Sequence, residues 1–161
     1  MKIHKHIFIV EDDELYSMML DYILSKDSVY QFVSFPSGEE CIKNLYLNPD
    51  IIILDYGLPG INGYETLLKI KAYNSKIHVI VLSNQTAPEL APKLLEAGAD
   101  DFVLKQGHGE AQIIEKIEKL LNNDELKKKN QQRTERKSAL AKMFGFILIL
   151  IILSLVFIFL I

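Results

Sequence analysis

A single cysteine, Cys41, among 161 residues excludes a disulfide framework and any cysteine-based zinc site. The start, Met1-Lys2-Ile3-His4-Lys5-His6, has no long apolar region, which excludes a cleaved secretory signal. Charge of one sign is also lacking, with 18 basic against 21 acidic side chains. What the chain does have is apolar residues, at 49%, too many for a disordered polypeptide.

The charge balance conceals unlike parts. Residues 127–142 hold seven basic side chains and one acid, Glu135, a charge of +6; the total of −3 therefore leaves −9 on residues 1–126. Residues 143–161 are apolar except for Gly145 and Ser154. A helix of that length spans roughly 28 Å, close to the ~30 Å hydrocarbon layer of a bilayer. The expectation is a C-terminal membrane anchor with nothing beyond it. The basic neck would hold the head on the cytoplasmic side, a location that the lone thiol suits. No polar spacer precedes the apolar run and no export signal opens the chain, so a lipid-anchor signal is not expected. The neck lacks aromatic residues for stacking, so nucleic acid is not an expected partner; the neck reads as a solvated, partly helical spacer that can also face anionic lipid.

In the acidic head, Ile7–Val10, Ile51–Leu54 and Val79–Leu82 are continuous apolar runs, as in parallel strands covered on both faces. Weaker strands fit Val29–Phe35 and Asp101–Leu104. Helical patterns fit Glu14–Ser25, Ser37–Leu47, Gly63–Tyr73, Pro88–Ala97 and Glu110–Asn122. Strand and helix alternate five times, which predicts a doubly wound α/β domain with a five-stranded parallel sheet. The expected divisions are a domain over 1–122, a linker over 123–142 and the anchor over 143–161.

Ligands of such sheets bind beyond the carboxyl ends of the strands. There the sequence places Glu11, Asp12 and Asp13, then Asp55, Ser83 and Lys105. Crowded carboxylates repel unless a cation neutralises them, and oxygen ligands suit a hard divalent ion such as Mg²⁺. A hydroxyl and an ammonium opposite would suit an anion beside that metal. Cys41 reads as a core thiol, His4 and His6 as solvated, His108 as a loop residue, and Leu58-Pro59-Gly60 as a turn.

From Ile3 to about Leu121 the head resembles the receiver domain of two-component response regulators. The matching motifs are Ile7-Phe8-Ile9-Val10-Glu11-Asp12, Ile53 to Gly63 around Asp55, Val81-Leu82-Ser83, and Ala99 to Lys105. The resemblance implies a flavodoxin-like fold and a non-enzymatic phosphoacceptor switch, at most catalysing its own phosphotransfer and dephosphorylation. Asp55 would take a phosphoryl group from a histidine kinase or phosphotransfer protein. Glu11, Asp12, Asp55 and the Gly57 carbonyl would hold Mg²⁺. Ser83 and Lys105 would bond the phosphoryl, and Phe102 would be the aromatic that changes rotamer with Ser83. The readout would be contact with a downstream protein. After the last helix the sequence leaves no room for a DNA-binding output module, so a membrane-tethered single-domain regulator is expected.

Two positions depart from the family pattern: Gln106 follows the lysine where proline is usual, and Asn84 follows Ser83 where Ala or Gly is usual. Both favour the alternative of a receiver-like scaffold that recruits partners without being phosphorylated. An aspartate-nucleophile phosphatase would carry a second Asp two residues after the first; that place is Gly57.

Overall fold

The computed structural model describes residues 5–26, 30–106 and 109–160, without the side chains of Glu110 and 147–160. His4, Val29 and His108 lie outside the described residues. The chain divides into two compact units, Met1–Lys119 and Leu120–Ile161.

In the first unit, strands β1 (Lys5–Val10), β2 (Tyr30–Phe35), β3 (Ile51–Asp55), β4 (His78–Ser83) and β5 (Asp101–Leu104) form one parallel sheet in the order β2-β1-β3-β4-β5. Helices α1 (Glu14–Leu24), α2 (Gly38–Lys43), α3 (Gly63–Tyr73), α4 (Leu90–Glu96) and α5 (Gly109–Leu160) separate and follow the strands. The three continuous apolar runs became the central strands for the reason expected. Ile51, Ile52, Ile53 and Leu54 are all at most 1% exposed, because helices cover both faces. The strand order reverses between β1 and β3, where a doubly wound sheet opens a crevice at its carboxyl end.

Local chemistry sets the helix starts. Asp13 caps α1, its Oδ1 accepting the N–H groups of Leu15 at 2.9 Å and Tyr16 at 3.2 Å. Asn62 and Glu65 form a reciprocal capping box on α3. Gly63 is required just inside that helix, since a Cβ there would run into the Asp55 carbonyl and the Tyr56 Cα. Helix α2 stops at Lys43 and a 3₁₀ turn, Leu45–Leu47, completes the stretch read as one helix; Asn48, left-handed at φ 53°, ends it. Cys41 is fully buried, and burial pushes its thiol up to about 12.

Helix α5 outruns its expected end at Asn122. Composition changes there, but no Gly or Pro occurs between Gly109 and Gly145, so nothing in the backbone stops the helix. Its Ile113 and Ile117 are buried.

The membrane anchor expected at 143–161, and the membrane location resting on it, are corrected: among the described residues no helix is long and apolar enough to cross a membrane. Within α5 the side chains described past Lys119 are mainly polar or charged, and exposed. The side chains of 147–161 lie outside the described residues.

Candidate functional site

Strands β1, β3, β4 and β5 bring Glu11, Asp55, Ser83 and Lys105 to one cavity of about 420 Å³, which Asp12, Asp13, Tyr16, Gly57 and Asn84 also line. Glu11 follows β1, its N–H donating to the Phe35 carbonyl at 3.0 Å, and is 3% exposed. Asp55 ends β3 at 5% and Ser83 ends β4 at 1%. Asp12 is exposed at the mouth. Lys105 follows β5, with its N–H donating to the Ser83 carbonyl at 2.9 Å. That bond ties the lysine segment to the hydroxyl segment.

The Lys105 ammonium lies 2.6 Å from Glu11 Oε2 and 2.9 Å from Asp55 Oδ1. Both are ion pairs within hydrogen-bonding distance. Asp55 Oδ2 accepts the Gly57 N–H at 3.1 Å, which fixes the turn of the carboxylate and leaves Oδ1 toward the lysine. Ser83 Oγ accepts the Gln85 N–H at 2.9 Å. Burial raises the proton affinity of Glu11; the Lys105 contact opposes this, the Asp55 charge adds to it, and the net shift is upward. For Lys105, burial disfavours the charge, but the contacts with Glu11 and Asp55 outweigh it and its pKa is raised.

Glu11, Asp12 and Asp55 each offer a carboxylate oxygen, and these lie within 4.8 Å of one another. Three carboxylates facing one ammonium leave negative charge in excess. An all-oxygen donor set of that charge fits a hard divalent cation.

Every strand-end residue singled out in the sequence is thus in the cavity wall. Asp13 is there too, but its carboxylate is spent on capping α1. Phe102 lies elsewhere: it is partly buried against the hydrophobic core and does not line the cavity. No cis peptide bond occurs among the described residues, so the bond between Lys105 and Gln106 is trans. Sequence reasoning missed Tyr16, whose ring centroid lies 4.6 Å from the Lys105 ammonium. The available signal was Asp13: once it is read as the cap, Tyr16 falls in the first turn, beside the strand ends.

The family model of the response regulator receiver domain matches residues 7–118. A rice protein, two-component response regulator ORR6, is 32% identical over 106 residues, 62% of each chain. A cyclic di-GMP phosphodiesterase of Thermotoga maritima is 36% identical over 99 residues, 62% of this chain but 26% of its own length. The chain therefore spans less than two thirds of these relatives. Among solved structures, the response regulator domain of Thermotoga maritima CheB superposes with a TM-score of 0.66 at 26% identity, over 74% of this chain and 97% of that one. The BeF3-activated DrrB receiver domain gives 0.68 at 26% identity, over 74% and 98%.

Proposed function

The chain belongs to the response regulator receiver domain family, and from that premise we propose that it is a phosphoacceptor switch. Asp55 receives a phosphoryl group from a histidine kinase or phosphotransfer protein, and the phosphorylated form signals by contact with a downstream protein. The observation that carries this reading is the convergence of Asp55 with Glu11, Asp12 and Lys105 on one cavity.

Glu11, Asp12 and Asp55, with the Gly57 carbonyl, would hold Mg²⁺. When bound, the ion supplies the positive charge that lets one anion approach another. The chain's own groups do the rest. The Gly57 N–H keeps the Asp55 carboxylate from rotating. An oxygen of Asp55 forms the new P–O bond as the donor's P–N bond breaks, and the bonding pair leaves with the imidazole. The Lys105 ammonium sits where phosphoryl oxygens gather charge, and the Ser83 hydroxyl donates to one of them. Placement and charge account for such a transfer, since its transition state asks for little covalent help. A dianion on Asp55 gives Ser83 and Lys105 a new partner and draws in the segments after β4 and β5, with Phe102 repacking beside them.

A second reading, a scaffold that is never phosphorylated, is favoured by Asn84 in the cavity wall, a larger side chain than the Ala or Gly usual in the family. One experiment separates the two. The full chain is incubated with Mg²⁺ and acetyl phosphate, with Asp55→Asn and chelator controls. A switch takes up base-labile phosphate that both controls abolish; a scaffold takes up none and gives no spectral response to beryllofluoride.

A further inference from the structure

Tyr16 is a large side chain of the cavity wall to which no role has yet fallen. Its backbone is fixed by the Asp13 cap, which accepts the Tyr16 N–H at 3.2 Å. Its ring presents a face to the Lys105 ammonium, centroid to Nζ 4.6 Å. The ammonium is therefore enclosed on three sides, by Glu11 Oε2, Asp55 Oδ1 and the ring, and the lysine side chain is only 7% exposed.

The three partners differ in what happens when charge enters the site. Glu11 and Asp55 are also candidate metal ligands, so a divalent ion competes with the ammonium for both carboxylates. The aromatic face does not compete: it attracts a cation through its quadrupole, carries no charge for a metal to claim, and does not neutralise the lysine toward a phosphoryl group. We propose that Tyr16 is a positioning residue for Lys105, holding the ammonium at the Asp55 edge once the acids are shared with a metal. The inference rests on the phosphoacceptor reading and adds to it which residue aims the lysine. The same ammonium assists transfer to Asp55 and stabilises charge during hydrolysis of the acyl phosphate. Loss of the ring therefore slows both steps together.

The test uses the full chain, Tyr16→Leu and Tyr16→Phe. The first readout is NMR of the metal-free proteins: the Lys105 ε-methylene protons are shifted upfield by the ring in the unsubstituted chain and in Tyr16→Phe, and not in Tyr16→Leu. The second is kinetic. Phosphorylation by acetyl phosphate and the later hydrolysis both fall about fivefold in Tyr16→Leu, the size expected of one cation–π contact, and are restored in Tyr16→Phe. Mg²⁺ affinity by calorimetry stays the same in all three, which a collapsed pocket would not allow. Equal rates in Tyr16→Leu, or faster hydrolysis with unchanged uptake (a water screen), overturn the proposal, as does a shift in Mg²⁺ affinity that accompanies the rate loss. No uptake by the unsubstituted chain would instead defeat the phosphoacceptor reading itself.

Discussion

At the residue scale the site is a concentration of charge that the metal-free fold tolerates at a cost. Glu11 is nearly fully buried, and its proton affinity is raised by burial first and by Asp55 as well, with Lys105 opposing. An acid whose folded pKa is raised favours the fold below its unfolded pKa and loses that contribution as pH rises through the folded one. Glu11 therefore contributes less to the fold as pH rises, with the Lys105 ammonium at 2.6 Å offsetting part of that cost. Glu11→Gln should flatten the fall of the metal-free chain's stability with rising pH in urea unfolding while weakening Mg²⁺ binding about tenfold. A pH dependence that the substitution leaves unchanged would contradict this. The strand-end acids, hydroxyl and lysine were legible because the position after an apolar run is visible in sequence. Tyr16 was not, since its role depends on where the first turn of α1 is placed by Asp13.

At the element scale, Asp55 is held in place from behind by the entry to α3. Gly63 lets that helix start against the Asp55 and Tyr56 backbone, and the Gly63 N–H donates to the Tyr56 carbonyl at 3.0 Å. Gly63→Ala should cost about 2 kcal/mol or more, because the methyl meets backbone that cannot yield; unchanged thermal stability would refute this packing. At the amino end of the sheet, Asp100 ties α3, β4 and β5 together. It accepts from Lys71 Nζ at 3.0 Å and the Val79 N–H at 2.9 Å, and pairs with His78 Nδ1 at 2.6 Å. Burial alone would raise its pKa, but the His78, Val79 and Lys71 contacts outweigh it and lower it to about 2. A depressed carboxylate stabilises the fold above its unfolded value and loses that contribution as pH falls through the folded one. Asp100→Asn should therefore cost about 2 kcal/mol at pH 7, with the difference from the unsubstituted chain shrinking between about pH 4 and pH 2. A pH-independent difference would contradict this. The central strands were legible from continuous apolar runs, whereas helix ends were not. Helix α2 gave way to a 3₁₀ turn at Asn44, and α5 ran on past Asn122 because composition changed without a breaker.

At the scale of the whole molecule, the chain comprises two units, and the groups of the candidate site belong to Met1–Lys119 alone. The last buried apolar residue described in α5 is Ile117, and past Asp124 every described side chain is exposed up to Phe146. A chain ending at Leu126 should keep the same cooperative unfolding transition and the same Mg²⁺-dependent phosphate uptake; loss of either would give the second unit a part in the first. The apolar tail shows the limit of composition: it supported an anchor in the sequence, yet no described helix meets the length and apolarity of a span. The whole fold carries four distant chain segments to one crevice, where a single covalent bond, phosphorus to an Asp55 oxygen, is expected to form. The full chain, phosphorylated in Mg²⁺, is reduced with borohydride, which converts an aspartyl phosphate to homoserine, and the peptides are mapped by mass spectrometry. Homoserine at position 55, absent without Mg²⁺ or without the phosphodonor, is the expected result. Its absence there, or its appearance at Asp12 or Asp13 instead, would contradict Asp55 as the phosphoacceptor.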